Sequence, residues 1–596
     1  MSTSDGPTPG VLRRLWAQLS PRRKRQLFLV LAMMLLGAVA EVVSLGAVLP
    51  FLAVIADPGK VMRIPGVDAV LSALGLTTPG SLLIALTILF AVASLLSGLI
   101  RVALSWASNK YVFALGHDLG TELYKRVLYQ PYRWHVARNT SAVIADVQKV
   151  QTVTNGMLLP LMQAAIAGLI GLFIVAALLV VSPLISAIAF ASFGLLYLGV
   201  SYFSRRTLNA NSKVIARTQK ERVQAVQEGL GGIRDVLLDG SQPVFLRRFS
   251  ILDAQLREAQ AMSTLIGATP RFMIEAAGMV LIALLALWLA GGQGGFSSAL
   301  PVLGALALGA QRLLPLMQLV YNGWTRVATN AHALDDVLHV LETPVPAAWG
   351  AGVDAELPFA RDIAFRHLSF AYTPDQAPVL NDVDFIVPKG ARVGIVGKTG
   401  SGKSTLVDLL MGLLEPSAGS VEIDGHPLDD ATRRAWQRQI AHVPQAIFLA
   451  DGTIAENIAF GVDPKAIDLE RVRDAARRAE LAEFIETLPQ AYETVVGERG
   501  VRLSGGQRQR VGIARALYKQ ASVLVFDEAT SALDNETEAA VMGSIERLDR
   551  RLTLFIIAHR LTTVQDCDWL INLEATSVQI RPAKSSRIAA DKSVSL

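Results

Sequence analysis

Six long apolar stretches restrict the fold of this 596-residue chain more than any other feature of its sequence. A hydrocarbon core of ~30 Å is crossed by about 20 helical residues. Stretches of that length lie near 27–55, 82–107, 157–181, 184–203, 264–290 and 299–324. A mean hydropathy of +0.40 with only 18% charged residues is also unusual for a soluble protein. The sequence therefore predicts an α-helical membrane domain of six spans.

Lysine and arginine are concentrated on one side of these spans. They cluster in the N-terminal segment and in the long connections 108–156 and 204–263, whereas the opposite connections carry only Lys60 and Arg63. The positive-inside rule then predicts a multi-pass protein of the cell (inner) membrane, with both termini and both long connections in the cytoplasm. This distribution accounts for an isoelectric point near 9.2, so we expect no nucleic-acid partner. The single cysteine, Cys567, excludes an internal disulfide.

The long connections show helical periodicity, with a break at Gly231–Gly232. We expect the spans to continue into the cytoplasm as helices and to turn there. On the outer side, the apolar residues Val67, Val70, Leu71 and Leu74 have the spacing of a short amphipathic helix. Such a helix would lie on the membrane or the outer mouth, or pack as a stub on neighbouring spans, and the sequence leaves both open.

The stretch Val393–Leu406 (VGIVGKTGSGKSTL) carries the clearest chemical signal. A β-branched run predicts a buried strand that ends at Gly397, and a helical pattern follows from Leu406. Glycines between the two let successive N–H groups curl around an anion, while Lys403 supplies a charge for the outer phosphates and Ser404 a hydroxyl for Mg²⁺. The sequence predicts a nucleoside triphosphate site formed by Gly397, Thr399, Gly400, Ser401, Gly402, Lys403, Ser404 and Thr405.

From about Ile363 onward, short β-branched runs alternate with helical patterns, as expected for an α/β domain. With the runs LSGGQ (503–507) and VLVFDEATSALD (523–534), this part resembles the ATPase domain of the ABC transporter superfamily. Because six spans precede it, the whole chain resembles an ABC exporter half-transporter. The resemblance implies binding of ATP and Mg²⁺, ATP hydrolysis coupled to translocation, and a domain-intertwined homodimer. In this superfamily the signature run of one subunit faces the ATP of the other.

The resemblance also assigns roles outside the phosphate loop. Tyr372 would stack on adenine, and Gln445 would reach Mg²⁺ and the attacking water. Asp527 would hold Mg²⁺ through water, and Glu528 would be the general base or position the water. His559 would contact the γ-phosphate. The remaining ATP-contacting positions are Ser504, Gly505, Gly506 and Gln507 of the signature and Asp534 in the loop Ser531–Asp534, which would cross to the partner.

One departure from the family lies near the C-terminus. After Asp568 the sequence lacks the glycine-bearing hairpin and closing helix common in the family, so the packing of this end of the domain is open. The polar tail 585–596 is expected to be disordered. The predicted division is a cytoplasmic segment 1–26, a transmembrane domain 27–325, a linker 326–360, an ATP-binding domain 361–584 and the tail.

Ionisable residues in the spans are candidates for substrate contacts, because each costs ~2.5–3.5 kcal/mol at mid-helix on insertion scales. Arg101, Arg271 and Arg312 come from three different spans, and guanidinium groups match the oxygens of a pyrophosphate. In the alternative interpretation, Glu41 and Glu275 simply neutralise two of these arginines.

The segments 40–54, 269–278 and 310–322 resemble bacterial flippases for lipid-linked oligosaccharides. That resemblance implies a cargo of polyprenyl-pyrophosphate-linked oligosaccharide, moved from the inner to the outer leaflet. A general exporter of lipids, drugs or peptides is the alternative. An ATP-gated channel or channel regulator is an alternative of another class, which steady ATP turnover tied to lipid movement would exclude.

Overall fold

The chain forms two compact units in a computed structural model. One unit contains Met1–Gln130 with Ala137–Val345, and the other contains Pro131–Val136 with Pro346–Leu596. The structure describes residues 8–56, 78–181, 183–290, 295–345, 357–373, 375–497, 500–528, 535–546, 552–557, 564, 567–574 and 577–582. The predicted outer helix near 67–74, the loop Ser531–Asp534 with Asp534, the residue His559 and the tail 585–596 lie outside these ranges.

The first unit is entirely helical in its described part. Its helices are α1 Thr8–Gln18, α2 Pro21–Ala56, α3 Pro79–Leu128, α5 Thr140–Val153, α6 Leu159–Val181, α7 Pro183–Gly231, α8 Ile233–Leu238, α9 Gln242–Ala290 and α10 Gly295–Glu342, with a π-helical turn Thr154–Leu158 between α5 and α6. Each predicted span lies in one of the long helices α2, α3, α6, α7, α9 and α10, the third beginning in the π-helical turn. Among the described residues, three helical stretches meet the length and apolarity needed to cross a membrane: Pro21–Ser44, Gly80–Leu128 and Thr140–Ala177.

The long connections are helical, as the sequence predicts. Helices α3 and α7 continue past their apolar stretches, and α9 begins well before its own. The helical break falls at Gly231–Gly232, between α7 and α8. Helix α10 continues to Glu342, so the first part of the predicted linker 326–360 is helical. Its last turns bury Val337, Leu338 and Leu341, which explains why the helix does not end with the apolar span.

The spans pack as close pairs, α2 with α3, α7 with α9, and α6 with α10. The last pair is in close contact at Gly323 of α10. A Cβ atom on this glycine would lie 2.3 Å from the Cβ of Ala164 and 2.9 Å from the carbonyl oxygen of Pro160, both on α6. A small residue lets two helix backbones approach to this distance, as is common among membrane helices.

The second unit contains two sheets. An antiparallel sheet has the order β2-β1-β4-β5, and a six-stranded sheet has the order β10-β9-β3-β8-β7-β6, in which all strands but β10 are parallel. The strands are β1 Asp362–Phe370, β2 Leu380–Pro388, β3 Arg392–Gly397, β4 Ala418–Ile423, β5 His426–Pro427, β6 Ile440–Val443, β7 Val523–Asp527, β8 Thr553–Ile557, β9 Trp569–Glu574 and β10 Ser577–Pro582. The main helices are α4 Tyr132–Val136, α11 Lys403–Leu410, α12 Arg433–Arg438, α13 Ile454–Ile458, α14 Leu469–Arg478, α15 Ala482–Glu486, α16 Gly505–Tyr518 and α17 Asn535–Glu546.

Strand β3 lies near the middle of the parallel sheet, between β8 and β9. Val393 and Ile395 are fully buried there, as a near-continuous apolar run in a covered parallel sheet should be. The carboxyl ends of β3 and β7 therefore open at the same edge, which is where ligands bind in open α/β sheets.

The C-terminal hairpin forms although its sequence lacks the family's glycine. Strand β10 pairs with β9 from Ser577 opposite Glu574 to Pro582 opposite Trp569. Ile571 and Leu573 of β9 are buried in the domain core, and this burial favours the pairing without a special turn residue.

Candidate nucleotide-binding site

The loop from Gly397 to Gly402 connects β3 to α11 and needs glycine at several positions. Gly400 and Gly402 have φ angles of +83° and +93°, a region that other residues rarely adopt. At Gly397 a Cβ atom would lie 2.5 Å from the carbonyl oxygen of Leu573 and 2.6 Å from the hydroxyl of Ser401. The loop is therefore folded tightly on itself, with its backbone N–H groups at the start of a helix, as an anion site requires.

Lys403 and Ser401 provide the polar side chains inside this loop. Lys403 is only 8% exposed, and its ammonium donates to the carbonyl oxygens of Gly397 at 2.8 Å and Lys398 at 3.0 Å. The buried hydroxyl of Ser401 has no hydrogen-bond partner among the described residues. Ser404, at the second helical position, is exposed. An orphaned hydroxyl beside a buried ammonium fits a loop that binds phosphate oxygens.

Tyr372 is joined to the phosphate-loop helix. Its hydroxyl lies 3.1 Å from the hydroxyl of Thr405, its ring meets Phe370 edge-on at 5.0 Å, and 38% of the residue is exposed. The guanidinium of Arg133, from α4, donates to the carbonyl oxygen of Tyr372. Contacts to the side-chain hydroxyl and to the backbone carbonyl thus fix Tyr372 beside the phosphate-loop helix. Part of its ring remains accessible, as adenine stacking requires.

Gln445 and Glu528 are brought together from distant parts of the sequence. The Gln445 amide donates to a carboxylate oxygen of Glu528 at 2.7 Å. Glu528 has a φ angle of +51°, and its N–H donates to the carbonyl of Ile557 at 3.1 Å. A left-handed conformation in a glutamate is strained, and such strain is concentrated at functional positions. The left-handed residue follows directly on the last residue of β7, Asp527.

Asp408 lies on α11, the helix that follows the phosphate loop, and is not among the residues predicted from the sequence. Burial, with the charge of the neighbouring Asp527, raises the pKa of the Asp408 carboxyl to about 6. Burial, Asp408 and Tyr372 likewise raise the pKa of the Tyr132 hydroxyl, on α4. The only sequence signal was a carboxylate in an otherwise apolar helix after the phosphate loop, and that signal does not show which groups face it.

The signature run begins a helix. Ser504 caps α16 by accepting from the N–H of Gln507 at 3.2 Å, and the Gln507 side chain accepts from the N–H of Ser504 at 2.8 Å. This capping box leaves the N–H groups of Gly505 and Gly506 at the positive end of a 14-residue helix. Within the described residues, no hydrogen bond or ion pair joins positions 504–507 to the phosphate loop.

The residues predicted to hold Mg²⁺ offer oxygen ligands. They are the Ser404 hydroxyl, the Gln445 amide oxygen and the Asp527 carboxylate, the hard donors that Mg²⁺ prefers beside substrate phosphates. The described residues contain no group of three or more His, Cys, Asp or Glu side chains able to hold a metal ion by themselves. The oxygen donors of Ser404, Gln445 and Asp527 fit a Mg²⁺ ion that arrives with a nucleotide.

The span arginines have carboxylate partners. Arg101 lies 3.6 Å from Glu41, which is buried and also accepts from the Ser97 hydroxyl at 3.2 Å. Arg271 pairs with Glu275 one turn along α9, at 2.8 Å. Arg101 and Arg271 remain 49% and 61% exposed as side chains. The structure thus gives each of the two its own ion pair, and the side chain of Arg312 lies outside the described part.

Known proteins match this chain along nearly its whole length. Residues 27–298 match the ABC transporter transmembrane region, and residues 380–531 match the ABC transporter ATPase family. The "ATP-dependent lipid A-core flippase" of Ralstonia nicotianae is 32% identical over 95% of this chain and 92% of its own length. The protein of the same name from Cupriavidus metallidurans is 31% identical over 94% and 91%.

A solved structure shares the fold. It is described as a bacterial Atm1-family ABC exporter with ATP bound, covers 96% of this chain and 99% of its own, and has a TM-score of 0.72 at 24% identity. Combined with the phosphate loop, the signature helix and the Gln445–Glu528 pair, these matches make the chain a membrane protein of the ABC transporter family that couples ATP hydrolysis to translocation.

Proposed function

We propose that this chain is a flippase that moves a polyprenyl-pyrophosphate-linked oligosaccharide from the inner to the outer leaflet. The observation that carries the proposal is the presence of Arg101 and Arg271 in two spans, with about half of each guanidinium side chain exposed despite an ion pair. A polyprenyl chain can remain in the bilayer, so only the charged head group needs a polar path. Each accessible guanidinium offers forked donors for pyrophosphate oxygens. Because a carboxylate already pairs with it, the guanidinium costs less free energy to keep inside the membrane domain.

The functional unit of this proposal is a homodimer in the cell membrane, with the ATP-binding domains in the cytoplasm. Each ATP would lie between the phosphate loop of one subunit and the signature helix of the other, with Mg²⁺ held by Ser404, Gln445 and Asp527. Glu528 would accept the proton of the attacking water or orient it. The capping box of α16 and the orphaned Ser401 hydroxyl support this arrangement.

A cargo of lipid A-core type is the second candidate. The names of the relatives from Ralstonia nicotianae and Cupriavidus metallidurans favour it, since both are lipid A-core flippases. The two candidates share ATP-driven lipid flipping and differ in the lipid recognised. Purified protein in liposomes, supplied in turn with either lipid, separates them by the lipid that is flipped and that stimulates ATP turnover.

The role of the arginines in cargo binding is tested by substituting each member of the Arg271–Glu275 ion pair separately. Under the cargo proposal, Arg271→Gln abolishes flipping and leaves basal ATPase and folding intact, whereas Glu275→Gln keeps flipping because the guanidinium remains. If the pair is only structural, the two substitutions lower folding and ATPase equally. Arg101→Gln and Arg312→Leu extend the series, and undiminished flipping in the triple arginine variant would exclude the cargo role.

A further inference from the structure

A large cavity opens between α5, α7 and α10 of the first unit. Its volume is about 930 Å³, and we call it the α5–α7–α10 cavity. Five of its lining side chains are lysine or arginine, three are carboxylates and two are histidines. None of these residues belongs to the nucleotide site or to the three span arginines. The cavity is therefore a separate polar feature of the helical domain.

One face of α7 supplies most of the positive charge. Lys213, Arg217 and Lys220 have the i, i+4, i+7 spacing that aligns side chains along one side of a helix, and all three line the cavity. The opposite side of α7 packs Ile215 against Leu256 of α9. A charged helix face is usually just a solvated surface, but this one lines an open cavity together with residues of α5 and α10.

The carboxylates of the wall are already occupied. The buried ammonium of Lys149 lies 2.8 Å from Asp146 and 2.6 Å from Asp336, so it engages both of these acids. The third, Glu221, pairs with Arg217 at 2.8 Å on the same helix. These pairs leave the wall with an excess of positive charge.

Lys213 and Lys220 contribute to that excess from the same helix. Both side chains are exposed to the cavity, and neither has a carboxylate within ion-pair distance in the part of the chain that the structure describes. Ammonium groups of like charge that line one concave wall raise the local concentration of anions. Seven residues separate the two lysines by about 10 Å along the helix axis. Two flexible lysine stems can close that separation on a pyrophosphate, whereas one phosphate group would reach only one of them.

We propose that the α5–α7–α10 cavity binds a pyrophosphate-type polyanion through Lys213 and Lys220. The anion is either the head group of a lipid or a soluble pyrophosphate, since both present the same oxygens. This inference does not depend on which lipid the protein flips. A volume of about 930 Å³ also leaves room for groups attached to the pyrophosphate.

Residue-resolved amine acylation of the full-length protein in nanodiscs, read by mass spectrometry, tests the proposal without relying on transport. Inorganic pyrophosphate should slow acylation of Lys213 and Lys220, while Lys125, an exposed lysine of α3 outside the cavity, reacts unchanged. In Lys220→Gln, half-protection of Lys213 should need about tenfold more pyrophosphate, a loss of ~1.4 kcal/mol. The matched Lys125→Gln should leave that concentration unchanged.

A second experiment identifies the source of the anion. It repeats the acylation in nanodiscs that contain a polyprenyl pyrophosphate. Protection by the lipid alone assigns the site to a lipid head group, and protection by both assigns it to pyrophosphate from either source. Protection by chloride at equal ionic strength, equal protection of Lys125, or no protection by either probe would overturn the proposal. Because flipping is measured separately, failure here leaves the proposed cargo untouched.

Discussion

The φ angle of +51° at Glu528 links backbone strain to chemistry at a single residue. Strand β7 ends at Asp527, and an extended continuation would turn the next side chain to the other face of the sheet. The left-handed residue departs from this alternation at the edge of the sheet where β3 leads into the phosphate loop. The Gln445 amide then fixes the glutamate at 2.7 Å.

Glu528→Gln should retain ATP binding and lose most turnover. The amide can still accept the hydrogen bond from Gln445, but it cannot take a proton from water, and such proton transfer contributes on the order of 10²–10⁴-fold in rate. Equilibrium ATP binding and steady-state phosphate release measure the two effects, with Glu536→Gln on the exposed start of α17 as the control. Turnover like that of the unsubstituted protein would remove Glu528 from the reaction.

Asp408 should make the stability of the ATP-binding domain depend on pH. Its pKa of about 6 lies above the usual value of 3.8, so the folded state binds the proton more tightly than the unfolded state. The stabilisation is complete below about pH 4 and is lost as the pH rises through 6. Asp408→Asn should therefore raise the unfolding temperature at pH 7.5, and the gain should shrink at pH 5.

Tryptophan fluorescence can follow this transition, because Trp436 is fully buried in the same unit. Asp451→Asn, at an exposed carboxylate of the same domain, is the matched control and should shift the unfolding temperature little at either pH. A gain for Asp408→Asn that is equal at both pH values would contradict the electrostatic explanation.

At the scale of elements, the contact of α6 with α10 depends on Gly323. Gly323→Val should destabilise the helical domain, because any Cβ there meets both a side chain and a backbone carbonyl of α6. Overpacking of this kind costs ~1–3 kcal/mol. Gly171→Val, on α6 with no atom within 4 Å of its Cβ position, is the matched control. Thermal unfolding in detergent measures both, and equal shifts would show that helix propensity, not packing, sets the effect.

Local sequence patterns predicted the secondary-structure elements better than they predicted which residues contact each other in space. Apolar length indicated the six long helices, and glycine spacing indicated the phosphate loop, since both signals lie within one segment. The last turns of α10, up to Glu342, are stabilised by tertiary burial of Val337 and Leu338, which composition does not reveal. The hairpin β9–β10 was left open because a family glycine is absent, yet burial of Ile571 supports the strand pairing.

In the candidate site, too, the sequence predicts residue types better than it predicts contacts between distant residues. The residue types of the phosphate loop and of Glu528 follow from the sequence, but the pairing of Arg101 with Glu41 depends on how α3 and α2 align. The environment of Asp408 depends on Asp527, which is remote in sequence and adjacent in space. Such contacts are set by the register between elements, and a single sequence carries no measure of that register.

At the scale of the whole molecule, the signature helix and the phosphate loop of one chain share no hydrogen bond or ion pair in its described part. Both nevertheless present the donors that a triphosphate requires, Lys403 on the loop and the capped start of α16 at Ser504. If each site is built from two chains, both members of a C2 homodimer contribute one half to each site.

Chains carrying Lys403→Ala should therefore rescue chains carrying Ser504→Arg. Each variant alone forms dimers in which both sites are incomplete, because one half of every site is damaged. A mixed dimer places both lesions in one site and leaves the other complete. At equal amounts and random pairing, half of the dimers are mixed, so ATPase should return to about a quarter of the unsubstituted rate. The matched control carries both substitutions on one chain and is mixed with the unsubstituted chain. Its mixed dimers then have no complete site, so the unsubstituted homodimers alone give about a quarter of the rate, whereas sites completed within one chain would give about half in this control and none in the first mixture. Rescue that is absent, or a strictly monomeric preparation that hydrolyses ATP at the dimer's rate, would show that one chain completes its own site.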